Sequence, residues 1–271
     1  MPELPEVEVV RAGLAPHLVG RCVESVACHR SSLRYPLPDM LSLHGCHIAA
    51  VRRRAKYLLI GLDDGRILVW HLGMTGQFHV LHGDAPAGRH EHVRINLDDG
   101  QSLRYRDVRR FGYAGLLDGN QLDAHAWFAA LGPEPLGDAF GGAYLADTCR
   151  GRKAPIKTVV MDAHVVVGIG NIYAAEALFR AGIHPGRAAG RIAARRLDTL
   201  ATCIKAVLRE AISAGGSSIS DFVRADGRPG YFAHAFQVYG RTGQACFVCR
   251  QEIKCIRQSG RSSFYCPHCQ H

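Results

Sequence analysis

The chain has 271 residues, 47% of them hydrophobic, and its 33 lysines and arginines against 24 acidic residues give a formal charge of +9. Such a length and apolar content exclude a disordered chain and leave room for two domains, while the charge predicts a polyanionic partner. No stretch approaches the roughly 20 consecutive apolar residues of a membrane span, and the N-terminus lacks the basic and apolar regions of a secretory signal, so a soluble, cytoplasmic protein is expected.

From Pro5 the residues Val7, Val10, Leu14 and Leu18 fall at helical spacing, with Gly20 as a stop and Pro16 predicting a kink or an early end. Between about Cys22 and Leu117 the pattern changes to short β-rich runs. Tyr57 to Leu62 and Arg66 to Leu72 flank Asp63-Asp64-Gly65, and Val93 to Leu97 and Ser102 to Tyr105 flank Asp98-Asp99-Gly100, so both pairs read as hairpins. An antiparallel sandwich or barrel buries so many short strands. Leu131-Gly-Pro-Glu-Pro-Leu-Gly137 breaks the pattern and marks a domain connection. Helical periods follow over Ala143 to Cys149, Pro155 to Met161, Asn171 to Ala181 and Ala193 to Ala214. A polar, glycine-rich loop from Gly215 to Gly230 reads as a mobile functional segment, and a cysteine-rich module closes the chain. No internal repeat is present.

Loss of Met1 would leave Pro2 as a free secondary amine with Glu3 beside it. A terminal amine titrates at roughly pH 7.7 to 8.0, so it is substantially uncharged and nucleophilic near neutrality. Attack on an aldehyde-level carbon would give an iminium directly, and the neighbouring acid could protonate the leaving fragment. Proline is also an ordinary second residue, so the rest of the chain must decide.

Cys246 and Cys249, then Cys266 and Cys269, have the spacing of two thiolate knuckles around one tetrahedral Zn2+. Paired disulfides are the alternative, which a reducing compartment disfavours. Cys255 and His268 are rival ligands by proximity, but Cys255 lacks a knuckle partner and His268 sits inside the second knuckle. Four thiolates leave no open position, so the zinc is read as structural. Lys254, Arg257, Gln258, Gly260 and Arg261, between the knuckles, suggest a basic hairpin facing phosphates, with a plain solvated face as the alternative. Gly168-Ile169-Gly170-Asn171 precedes a helix whose free amides and Asn171 side chain could hold a phosphate oxygen, although glycines and asparagine also serve as ordinary turn and cap residues. Basic clusters recur at Arg52 to Lys56, Arg104 to Arg110 and Arg150 to Lys153, and Asp107-Val-Arg-Arg-Phe-Gly112 offers an aromatic beside paired arginines, as a duplex-unstacking wedge would.

Taken together these residues resemble the formamidopyrimidine-DNA glycosylase family, the bacterial enzymes that remove oxidised purines from DNA. The resemblance spans essentially the whole chain. It rests on Pro2-Glu-Leu-Pro-Glu-Val-Glu8, Arg53-Arg-Ala-Lys-Tyr57, His71-Leu-Gly-Met-Thr-Gly76, Arg109-Arg-Phe-Gly112, Leu131-Gly-Pro-Glu-Pro-Leu136, Val167-Gly-Ile-Gly-Asn-Ile-Tyr-Ala174, Asp226-Gly-Arg-Pro-Gly-Tyr-Phe232, Val238-Tyr-Gly-Arg241 and the four knuckle cysteines. It implies an α+β fold: an N-terminal antiparallel β-sandwich flanked by helices, then a helix-two-turn-helix bundle with a four-cysteine zinc-finger β-hairpin. The implied boundaries are a catalytic domain over 1–130, a linker over 131–141, a DNA-binding domain with a lesion-capping loop over 142–235, and the zinc finger over 236–271.

The resemblance further implies a monomeric glycosylase and abasic-site lyase acting on damaged double-stranded DNA, with no membrane partner. Pro2 is then the nucleophile at the sugar C1′ and Glu3 the acid. Lys56 binds the lesion's phosphates and is the proton donor of β-elimination, and Arg261 binds phosphate and serves δ-elimination. His71 and Asn171 resemble further phosphate contacts, and His90, Arg109 and Arg152 match DNA-binding positions. Met74, Arg109 and Phe111 match the trio that fills the hole left by an extruded nucleotide, and Ser217 to Tyr231 resembles the cover over it. Leu4 and this trio favour the purine branch over endonuclease VIII-like relatives that prefer oxidised pyrimidines. A catalytically silent zinc protein that only binds DNA is the third reading. Val108, Ser217-Ser218 and Ser262-Ser263 depart from the family's usual proline and threonines, and none touches the proposed nucleophile.

Overall fold

A computed structural model describes residues 1–83, 86–217 and 236–271. The capping loop expected from Ser217 to Tyr231 therefore lies, beyond Ser217, outside the described residues. The chain divides into two compact units, Met1–Ala129 with Ala214–Tyr231, and Ala130–Ser213 with Phe232–His271. Among the described residues no helix is long and apolar enough to cross a membrane.

Among the described residues of the first unit a helix, α1 (Leu4–Leu18), precedes eight strands: β1 (Val23–Cys28), β2 (Ile48–Arg54), β3 (Tyr57–Leu62), β4 (Arg66–His71), β5 (Gly76–His82), β6 (Glu91–Leu97), β7 (Gln101–Asp107) and β8 (Tyr113–Asp118). They form two antiparallel four-stranded sheets, ordered β1-β6-β7-β5 and β2-β3-β4-β8. The two expected hairpins are present, and Gly65 and Gly100 take the positive φ that their tight turns need. Alternate strand residues such as Leu58, Ile60, Leu68, Trp70, Phe78, Ile95, Leu103 and Tyr105 form one core with Val7, Val10, Leu14 and Leu18 of α1. Two expectations need correcting. Leu4, Glu6 and Val9 are buried as well, so the start of α1 is enclosed more widely than one amphipathic stripe. The helix also runs through Pro16 to Leu18 without an early end, because a proline so near the C-terminus removes only one ladder bond.

The second unit contains α2 (Gly142–Cys149), α3 (Ile156–Val160), α4 (Asn171–Arg180) and α5 (Ala194–Ser213), then a hairpin of β9 (Lys254–Gln258) and β10 (Arg261–Tyr265). Leu197, Leu200, Ala201, Ile204, Val207, Leu208 and Ala211 give α5 its buried stripe. Its neighbour α2 comes so close that a Cβ on Gly142 would overlap Asp198. The cysteine module docks on α4 through Ala175, Phe179, Val238, Ile253, Cys246 and Cys266. Buried Glu176 fastens it there, accepting the amides of Gln237, Val238 and Tyr239 at 2.8 to 3.0 Å.

Candidate active site

Pro2 sits half-buried at the mouth of α1, and Glu3, its N-cap residue, is only 4% exposed. The Glu6 carboxylate accepts the Glu3 amide at 2.8 Å, one half of a reciprocal capping box, and its other oxygen accepts the Ser217 amide and hydroxyl at 2.9 and 2.8 Å. The box holds the residue next to the proline at the start of α1. Lys56 lies on the two-residue turn between β2 and β3, where Ala55 takes a positive φ of 54°. Arg53 anchors that turn: its guanidinium donates to the Ala55 carbonyl at 2.9 Å and to Glu8 of α1 at 3.0 Å. One ion pair thus ties the helix that carries the proline to the turn that carries the lysine.

His71 ends β4, and sheet register sets Tyr57 and Tyr113 beside it. The imidazole stacks on the Tyr113 ring at 4.9 Å and 9°, and Nδ1 accepts the Gly73 amide at 3.0 Å. Burial, then the charges of Lys56 and Arg34, pull its pKa down to about 4. Neutral His71 consequently carries its proton on Nε2. It can donate a hydrogen bond to an anion but adds no charge.

Met74 projects from the turn between β4 and β5, and Arg109 and Phe111 from the loop between β7 and β8. Met74 and Phe111 are 38% and 43% exposed, so neither is spent on the core. The Arg109 guanidinium lies over the Phe111 ring, 4.7 Å from its centroid. His90, at the entry to β6, has a positive φ of 65°, and its carbonyl accepts the amide of Asp107 at 3.1 Å. Burial and the nearby Arg89, Arg106, His92 and Arg30 lower the His90 pKa.

In the second unit Asn171 is the first residue of α4 rather than its cap, which is Gly170. Its side-chain oxygen is held by Lys157, whose Nζ donates to Asn171 Oδ1 at 2.5 Å and to the Ser262 carbonyl and Ser263 hydroxyl at 2.8 Å. Lys157 is 2% exposed, and an ammonium so buried requires these acceptors. The sequence reading missed this residue. A charged side chain inside the apolar run Ile156-Lys157-Thr158-Val159-Val160 is the signal that could have found it. Lys157 lines a cavity of about 340 Å3 with Arg152, Met161, Gln258 and Arg261. The cavity brings together Arg152 and Arg261, which lie 109 residues apart, both exposed and both chemically suited to phosphate.

The sulfurs of Cys246, Cys249, Cys266 and Cys269 all lie within 4.8 Å of one another. The Cys246–Cys269 and Cys249–Cys266 separations of 4.0 and 3.4 Å bracket the ~3.8 Å expected around a tetrahedral ion with metal–sulfur bonds of about 2.3 Å. Cys255 is exposed on β9, its thiol directed to the Ile256 carbonyl, and neither it nor His268 belongs to the cluster. The four thiolates form the site of one structural Zn2+.

A buried acid beside a second-position proline suits a chain to covalent chemistry if Met1 is removed, and a basic unit with a four-cysteine ribbon suits it to phosphate. These features define a zinc-bearing enzyme of nucleic acids. Residues 1–114 match the formamidopyrimidine-DNA glycosylase N-terminal domain, 131–223 the H2TH domain of the same enzymes, and 243–271 the zinc finger found in FPG and IleRS. The chain belongs to the formamidopyrimidine-DNA glycosylase family, which serves base excision repair. It is 51% identical over 271 residues to the formamidopyrimidine-DNA glycosylase of Alcanivorax borkumensis, covering 100% of both chains. The Stenotrophomonas maltophilia enzyme of that name is 51% identical over 272 residues, again at 100% coverage of both. Among solved structures, Lactococcus lactis Fpg in complex with an abasic site containing DNA superposes with a TM-score of 0.90 at 33% identity, covering 99% of each chain. The same enzyme with a FAPY-dG containing DNA also gives 0.90 at 33% identity, with 99% of this chain and 100% of that one covered.

Proposed function

We propose that the protein excises oxidised purines, 8-oxoguanine and formamidopyrimidines, from duplex DNA and then cuts the strand as an abasic-site lyase. The observation that carries this reading is buried Glu3 directly beside Pro2, which loss of the exposed Met1 would make the terminal amine. After removal of Met1, the Pro2 nitrogen attacks the sugar C1′, the bond to the base breaks, and the base leaves with the electron pair and takes up a proton. Glu3 protonates the ring oxygen as the sugar opens, leaving an iminium between Pro2 and C1′. The iminium acidifies the C2′ proton, whose loss breaks the C3′–oxygen bond, with Lys56 as the proton donor. A second elimination then releases the 5′ oxygen, with Arg261 holding phosphate. Both eliminations conserve the oxidation level of the sugar, so no redox partner is needed.

His71, His90, Arg109, Arg152 and Asn171 contact the duplex in this reading, while Met74, Arg109 and Phe111 occupy the hole left by the extruded nucleotide. The names and DNA complexes of the relatives support it. Residues 1–130 are assigned to catalysis, 131–141 to a linker, 142–235 to DNA binding with the lesion cover, and 236–271 to the zinc finger. The protein acts as a cytoplasmic monomer on the nucleoid.

Borohydride trapping on an 8-oxoguanine duplex tests the proposal. Processed wild-type protein should give a covalent adduct mapped to Pro2, and Pro2→Gly should lose both trapping and cleavage while retaining most of its affinity for damaged DNA. Excision with the sugar attached to another side chain, or with no adduct, would overturn the mechanism.

A further inference from the structure

Asp107, the last residue of β7, is completely buried, yet its carboxylate reaches the bases of two exposed loops. Its Oδ1 accepts from the Thr75 hydroxyl, beside Met74. Its Oδ2 accepts the Gly112 amide at 2.8 Å, beside Phe111, and the Tyr105 hydroxyl at 3.3 Å. The Thr75 oxygen in turn accepts the Arg109 amide at 3.0 Å. The backbone of Asp107 is used as well, its carbonyl accepting from His92 Nε2 at 2.7 Å and its amide donating to His90. Backbone packing joins the same loops: a Cβ on Gly73 would overlap the Phe111 carbonyl group and the Gly112 nitrogen. Tip and base contrast sharply, since Met74, Phe111 and Val108 are 38%, 43% and 53% exposed whereas Thr75 and Tyr105 are 8% and 1%.

We propose that Asp107, acting with Thr75, is a positioning residue that locks Met74, Arg109 and Phe111 into one preformed wedge. The inference rests on the void-filling role given above to those three side chains. Two separately mobile loops would each have to be ordered when a nucleotide leaves the stack, and that ordering cost would add to the cost of extrusion. A shared carboxylate meets the cost during folding instead. Removing it leaves the amide of Gly112 and the hydroxyls of Thr75 and Tyr105 without their acceptor. The tips would remain present but loosely aimed.

The test uses Asp107→Asn, which keeps the shape but leaves a single acceptor oxygen for both the Thr75 hydroxyl and the Gly112 amide, and the pair Thr75→Val and Thr75→Ser. Three readouts are taken: single-turnover excision of 8-oxoguanine from a duplex, cleavage of an abasic site in single-stranded DNA, and fluorescence of 2-aminopurine placed beside the lesion. Asp107→Asn and Thr75→Val should slow duplex excision and the fluorescence change by about tenfold or more. Single-stranded cleavage, which leaves no hole in a stack, should stay at the wild-type rate, and Thr75→Ser should restore duplex excision. Parallel loss on both substrates, or no loss on either, overturns the inference, and the Thr75 pair decides it even if Asp107→Asn does not fold. Wild-type protein that processed neither substrate would instead overturn the proposed function.

Discussion

His71 illustrates how a single side chain's chemistry is set by neighbours distant in sequence. Its stacking partner Tyr113 lies 42 residues away and meets it only because β4 pairs with β8 in one register. The motif around His71 could suggest a phosphate contact, but a histidine read from sequence could equally be a cation. In its aromatic enclosure the imidazole stays neutral above about pH 4. Its folded value lies below the ordinary 6.5, so between the two the unfolded chain binds a proton that the native state refuses. The neutral form's contribution to stability is complete above pH 6.5 and is lost as the pH falls toward 4, amounting to roughly 3 kcal/mol. Heteronuclear NMR should place the His71 midpoint near 4, and the stability gap between wild type and His71→Asn should widen in favour of wild type from pH 4 to 6.5. A midpoint near 6.5 with a pH-independent gap would show that the enclosure does not hold. Lys157 is the counterpart whose role the sequence concealed, because its acceptors Asn171, Ser262 and Ser263 lie 14 to 106 residues away.

Among the elements, those governed by local rules were legible: the two glycine-turn hairpins, the helical stripe of α5 and the two cysteine knuckles all follow from short-range spacing. Asn171 is a mixed case: its place at the start of α4 follows from the local sequence, but the bond from Lys157 on another helix to its side-chain oxygen does not. The β9–β10 hairpin depends most on a partner outside its own backbone. Each strand has five residues, too few for a free two-stranded ribbon to be stable in water, and the adjoining core is built around Cys246 and Cys266. Zinc therefore supplies folding energy to this element. Stripping the ion with a strong chelator should release one Zn2+ per chain, remove hydrogen-exchange protection from Lys254–Gln258 and Arg261–Tyr265, and abolish lesion-DNA binding. Protection of β3, β4 and β7 should persist, because their core contains none of the four ligands. A hairpin that stayed protected without metal would show that docking on α4 alone suffices.

Over the whole molecule, the formal charge of +9 predicts a polyanionic partner but says nothing about which cations touch it. Salt dependence separates the two questions, because only contacts that neutralise a phosphate release a counterion. Arg261 is exposed on the hairpin and permanently ionised, whereas His71 is uncharged near neutral pH. Arg261→Ala should accordingly flatten the slope of log affinity against log salt by ~0.9, the value for one phosphate on duplex DNA. His71→Asn should weaken binding at every salt concentration while leaving the slope unchanged, since losing a neutral donor displaces no ion. Titrations of an uncleavable abasic-analogue duplex between about 50 and 200 mM salt cover the range in which such slopes are steep. If His71→Asn also flattened the slope, a charged imidazole would be bound to phosphate, and DNA would have to lift its pKa past neutrality against burial, Lys56 and Arg34. If Arg261→Ala left the slope intact, the charge on the hairpin would serve the protein alone, and the contacts that hold the duplex would have to be sought among Arg109, Arg152 and Lys56.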